Sequence, residues 1–135
     1  MIHEEICTYE VCKLAKAKGF PQHIGNDAYI VENEYDDEYE VGCHYPIQFI
    51  PDYLPTITAP TQSLLQRWLR EEKGVTICVD IFDDGWFFDI STFYKQDTGI
   101  YEVDIPYKSS NVSPVYATYE LSLEDALKYA FENLV

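Results

Sequence analysis

Basic residues are scarce in this chain. Nine Lys and Arg stand against 24 Asp and Glu, giving a formal charge of −15 over 135 residues. There is no Lys or Arg between Gly19 and Gln66, and none between Gly74 and Tyr94. Nucleic-acid binding relies on cationic side chains that displace condensed counterions, so this shortage argues against direct contact with DNA or RNA. The same field attracts cations and basic proteins. Long apolar runs are also missing. No stretch approaches the roughly 18 uninterrupted apolar residues of a membrane span, and the opening MIHEEICTYE has neither the basic start nor the apolar run of a signal peptide. A cytoplasmic protein with no membrane contact is the expectation. Glycine is limited to six residues, and neither a glycine-rich phosphate loop nor a G-x-S-x-G elbow occurs. The four cysteines, Cys7, Cys12, Cys43 and Cys78, form no C-x-x-C pair. They are expected to be reduced, buried, small hydrophobes.

What is present suits one α+β domain spanning residues 1–135. Apolar residues make up 47% of the chain, which is too much for disorder by composition, and the twelve Tyr suit half-buried strands and contact surfaces. Three helices are predicted, over about residues 9–18, 61–73 and 123–134. Thr8 can cap the first, and Gly19 with Pro21 ends it. Pro60 and Thr61 open the second, and Gly74 closes it. Ser122 with Asp125 resembles a capping box for the third.

The segment YIVENEYDDEYEV, residues 29–41, alternates like a strand but carries so many like charges that a break near Asp36–Asp37 and a hairpin are predicted. HYPIQFIPDYLPTITAP contains four prolines, so it reads as an extended connection with at most a short edge strand at residues 47–50. VTICVDIF, WFFDISTFY and IYEVDIPY then form a meander through the turns DDG and KQDTG, with VYATYEL as a fourth strand. The helices are expected mainly on one face of that antiparallel meander of four or more strands. The tripeptide YEV recurs three times without any surrounding similarity, so it is not an internal repeat.

PTQSLLQRWLREEKG and TYELSLEDALKYAFENLV, with a weaker match in VCKLAKAKGF, resemble segments of small uncharacterised proteins from phages and prophages of gut bacteria. The shared pattern is a proline-threonine-opened helix with W-L-R-E, then strands, then a terminal helix introduced by T-Y-E. The likeness covers about half the chain and excludes the acidic segment. It implies an accessory protein and supplies no catalytic residues.

Two groups of residues are candidates for a site. Glu34, Tyr35, Asp36, Asp37, Glu38, Tyr39 and Glu40 would give an acidic, tyrosine-bearing hairpin for a basic protein partner. Such a surface could imitate the charge spacing of a nucleic acid. Asp80, Asp89 and Asp104 are the second group. A two- or four-residue DDG loop would set Asp80 opposite Asp89, with Cys78 opposite Ser91, Asp104 near Ser91 and Glu102 near Phe93. Facing carboxylates repel unless a cation or basic partner compensates. A three-residue loop with Gly85 left-handed would separate them. Against zinc, neither Cys7 with Cys12 nor Cys43 with His44 has ligand spacing. Against catalysis, His3, His23 and His44 have no oriented nucleophile. Arg67, Arg70 and Lys73 on the second helix could touch phosphates, but Glu71 and Glu72 interrupt them.

The function expected is therefore non-enzymatic: an interaction protein of phage or mobile-element type, without a cofactor, docking a basic partner. A metal-dependent binder or enzyme at Asp80, Asp89 and Asp104 is one alternative, and an immunity or antitoxin protein is another. An uncovered edge near Ile47, or the final strand, could join two copies into a homodimer.

Overall fold

Thr8 caps helix α1 (Tyr9–Ala17) as its side chain predicts, its Oγ1 accepting from the Val11 N–H at 3.4 Å. Gly19 ends the helix at φ +95. The Gly19 N–H donates to Lys16 O and the Phe20 N–H to Ala15 O, which satisfies the last carbonyls. The computed structural model that shows this describes residues 4–22, 28–32, 39–42, 56–95, 101–108 and 115–135. The chain divides into two compact units, Met1–Thr61 and Gln62–Val135.

In the first unit, α1 lies against a three-stranded antiparallel sheet of order β2-β1-β3. Strands β1 (Ala28–Glu32) and β2 (Tyr39–Gly42) pair antiparallel in the register Glu32↔Tyr39, as the predicted hairpin requires, and the break expected near Asp36–Asp37 lies outside the described residues. Strand β3 (Thr56–Ala59) was not expected. It occupies TITA, between Pro55 and Pro60, and pairs with β1 at the sheet's border, where flanking prolines need not donate to a ladder. The edge strand expected at residues 47–50 lies outside the described residues. Cys7, Val11, Cys12, Ala15, Phe20, Ile57 and Ala59 form the core of this unit. The Gln22 side chain accepts from the Thr58 N–H at 2.9 Å, and the Cys7 N–H donates to Pro60 O at 3.0 Å.

The second unit opens with α2 (Gln62–Lys73), then β4 (Val75–Phe82), β5 (Gly85–Lys95), β6 (Tyr101–Lys108) and α3 (Tyr119–Asn133). The strands form an antiparallel meander of order β4-β5-β6. It has three strands among the described residues, not four. VYATYEL is not a strand: only Tyr116 makes a bridge, to Trp86. Thr118 then caps α3, its Oγ1 accepting from the Leu121 N–H at 3.1 Å. The helix therefore starts four residues earlier than Ser122 and Asp125 suggest, and Ser122 lies buried inside it.

Both helices contact β4 on the face of Val75, Ile77, Phe88 and Ile90, all of them buried. Leu65 and Leu69 of α2 and Leu123, Ala126, Leu127, Ala130 and Phe131 of α3 complete the core. Trp68 stacks on Phe131 with ring centroids 6.2 Å apart. Gln62, at the start of α2, donates to Glu120 O at 3.0 Å and to Glu124 Oε2 at 2.7 Å.

The DDG turn is a two-residue loop, with Phe82 opposite Gly85. Asp83, not Gly85, takes the left-handed conformation, at φ 53. Gly85 answers a different need. A Cβ there would run into the Val115 side chain and would stand 2.9 Å from Tyr116 O. Since a side chain at positive φ is strained and glycine is not, Asp83→Gly should stabilise the protein by about 0.5–1 kcal/mol. Chemical denaturation followed by tryptophan fluorescence measures it, because both tryptophans, Trp68 and Trp86, lie in the second unit.

Candidate interaction surface

The alternation of β4 and β5 divides their residues between two faces. One carries the core. The other carries Thr76, Cys78, Asp80 and Phe82 from β4, and Phe87, Asp89, Ser91 and Phe93 from β5. Ile81 is 60% exposed and Phe82 49%. Phe82 meets Phe87 edge-on with centroids 6.1 Å apart. Asp80, Asp83 and Asp84 surround them and are exposed. A little further along, Trp86 meets Tyr119 edge-on at 5.5 Å, and Val115 and Leu121 are exposed nearby in sequence. The hairpin end thus pairs apolar contact area with carboxylates, in a stretch that contains no Lys or Arg from Gly74 to Tyr94.

The carboxylates do not converge as the sequence suggests. Asp80 stands opposite Phe87, and Asp89 stands opposite Cys78. The parity was read correctly, so both aspartates belong to the open face, but the two loop residues are Asp83 and Asp84 and not Asp84 and Gly85, which moves the partner of Asp80 two residues along β5. Asp104 stands opposite Thr92, one residue on from Ser91, and Glu102 stands opposite Tyr94, one residue on from Phe93, so each is offset by one position from the expected pairing. The cause is a bulge. Ile90 pairs with Tyr107 and Thr92 with Asp104, so Ile105 and Pro106 both face Ser91. Proline has no N–H for the ladder, which favours an irregularity there. Asp80 Oδ1 is engaged locally, accepting from the Ile81 N–H at 2.7 Å. No group of three or more His, Cys, Asp or Glu suited to a metal ion occurs among the described residues.

Of the acidic hairpin residues, Glu34, Tyr35, Asp36, Asp37 and Glu38 lie outside those described. Tyr39 and Glu40 are placed on β2, opposite Glu32 and Val31. Cys43 and the three histidines also lie outside. Cys7 and Cys12 are buried as expected, and the Cys12 thiol points to Cys7 O at 3.6 Å. Cys78 departs from expectation: it is exposed on the open face. On α2, Arg67 pairs with Glu71 of the same helix at 3.0 Å, and Lys73 lies over the Trp68 ring at 5.4 Å. Arg67, Arg70 and Lys73 are exposed beside Glu71 and Glu72, which gives an amphipathic scaffold helix and not a continuous phosphate-binding face.

A cavity of about 180 Å³ is lined by Phe88, Asp125, Lys128, Tyr129 and Glu132. It is small beside the about 300–1,000 Å³ usual for ligand pockets. Tyr116 Oη donates to Asp125 at its margin. No helix among the described residues is long and apolar enough to cross a membrane.

Sequence reasoning missed the exposed pair Ile81 and Phe82. The signal was available: VDIFDDGWFF puts apolar residues of both parities immediately against a tight turn, where the helices of a small meander have run out. No family model, curated protein or solved structure matches the chain.

Proposed function

We propose that this chain is a non-enzymatic cytosolic interaction protein, of the phage or mobile-element type its helices resemble, that docks a basic protein partner. One observation carries the reading: at the β4–β5 hairpin end, exposed Ile81 and Phe82 sit among exposed Asp80, Asp83 and Asp84. Exposed apolar side chains supply contact energy once water is excluded. The surrounding carboxylates favour encounter with a positively charged surface and penalise an acidic one. The net charge of −15 extends that selection over the whole molecule. The acidic segment from Glu34 to Glu40 adds to it, and a partner that normally holds nucleic acid would present the complementary charge.

The test is capture from a cell lysate on the immobilised full chain, at low and at high salt. Basic proteins should be retained at low salt and released at high salt, because exposed charges are screened. The triple variant Asp80→Asn, Asp83→Asn, Asp84→Asn should retain less. If nothing basic is held at low salt, the reading fails.

A further inference from the structure

The hydrogen bonds around Trp86 settle which way the free edge of β4 points. The Trp86 N–H donates to Tyr116 O at 2.9 Å, and Trp86 O accepts from the Tyr116 N–H at 2.7 Å. Both backbone groups of Trp86 therefore turn away from β4. In an antiparallel ladder the two residues of a pair either exchange both bonds or turn both groups outward. Trp86 pairs with Ile81. The N–H and C=O of Ile81 must therefore face the outer border of the sheet, and so must those of Val79 and Ile77 at two-residue steps. Ile77 confirms the assignment, because its carbonyl accepts from Gln66 Nε2 of α2 at 2.8 Å.

The border is closed at Ile77 by that glutamine. At Ile81 the N–H is taken by Asp80 Oδ1 of the same strand. Between and beyond these, the Val79 N–H, the Val79 C=O and the Ile81 C=O have no partner among the described residues. Open strand borders of this kind accept another strand.

We propose that this border of β4, from Val79 to Phe82, accepts an extended segment of the basic partner as an added strand. The inference rests on the docking reading above and gives it a location and a mode. The alternation of β4 dictates the chemistry of the incoming strand. Opposite Ile81 and Val79, on the core-side face, it needs an apolar side chain, which would cover Ile81. Opposite Asp80, on the other face, it needs Lys or Arg. Asp80 then exchanges its bond to the Ile81 N–H for an ion pair, and a carbonyl of the partner takes that N–H. A second copy of this chain fits badly, since it brings like charge to a molecule already at −15. Asp80 thus shields the border from self-pairing while selecting a basic strand.

The probe is a peptide alternating Lys and Val, Ac-KVKVKVK-NH2, added to the isotopically labelled full chain at low salt. At saturation, exchange of the Val79 amide hydrogen should slow at least tenfold. Methylating the peptide nitrogens that would donate to Val79 O and Ile81 O should weaken binding at least tenfold, and Asp80→Lys should do the same while leaving the spectrum of the folded protein in place. If the methylated peptide binds equally and Val79 exchange is unchanged, the strand site is overturned while charge-driven docking stands. If neither peptide binds, the strand site is likewise overturned, and the lysate capture separately decides the docking reading.

Discussion

Gly74→Ala should lower the stability of the protein by about 3 kcal/mol, with a fall in Tm on the order of 15 °C for a unit of this size. Two effects act together at this position. Gly74 has φ +65, a conformation in which an alanine side chain costs about 1 kcal/mol. The added Cβ would also lie 2.7 Å from Phe93 O, and that oxygen is backbone. It cannot swing aside as a side chain would. Phe93 is held against this point by its N–H, which donates to Gly74 O at 2.8 Å. The helix terminus and the far end of β5 therefore meet with no room between them. Gly74→Asn separates the two effects, because asparagine tolerates positive φ but still carries a Cβ. Losses of similar size for Ala and Asn would identify the steric clash as dominant. A loss under about 1 kcal/mol for Ala would contradict this close approach.

Phe131→Ala should cost about 3–5 kcal/mol, the range for removing a buried aromatic ring whose cavity the surroundings only partly fill. Phe131 is fully buried, and its ring stacks on Trp68 with planes 18° apart. Since domains have only about 5–15 kcal/mol in total, this single change takes a large share of it. Phe131→Leu retains most of the apolar volume and should cost about 1 kcal/mol. Urea denaturation measures both, and Trp68 emission should shift to the red in the alanine variant before unfolding. An alanine variant as stable as the parent would show that the α2–α3 contact does not hold this unit together.

The helices were legible where their ends carry specific chemistry. Thr8, Gly19 and Gly74 mark helix boundaries by hydrogen bonding and by positive φ, and those signals are local. The start of α3 was misread for a local reason too. Thr118-Tyr119-Glu120-Leu121 alternates over a span too short to separate a strand from a helix, and Ser122 offered a second, later cap. The faces of β4 and β5 followed from parity, which depends only on whether the loop length is even or odd. The exact partners did not, because they depend on which residues make the loop: centred on Asp84 and Gly85 it would oppose Asp80 to Asp89, whereas Asp83 and Asp84 make it here. The placement of Asp104 was beyond reach, since it depends on the bulge that sets Ile105 and Pro106 against Ser91. Gly85 misled in an instructive way. A glycine after two aspartates suggests a left-handed turn residue, whereas here it makes room for Val115 and Tyr116, which arrive from thirty residues on. Strand β3 was hidden by its prolines, which bracket TITA without interrupting it.

The exchange of backbone bonds between Trp86 and Tyr116 has a kinetic side. Among the described residues, the pairing of β6 with β5 runs as far as Lys108 with Asp89, and at Trp86 the partner beside β5 is Tyr116. Tyr116 stands three residues before α3, and Tyr119 in the first turn of that helix touches the Trp86 ring. The root of the loop and the first helical turn are thus clipped together, and fraying one loosens the other. Their amide protons should be lost to solvent at a common rate, as one small opening unit, ahead of the slower release of the buried strands behind them.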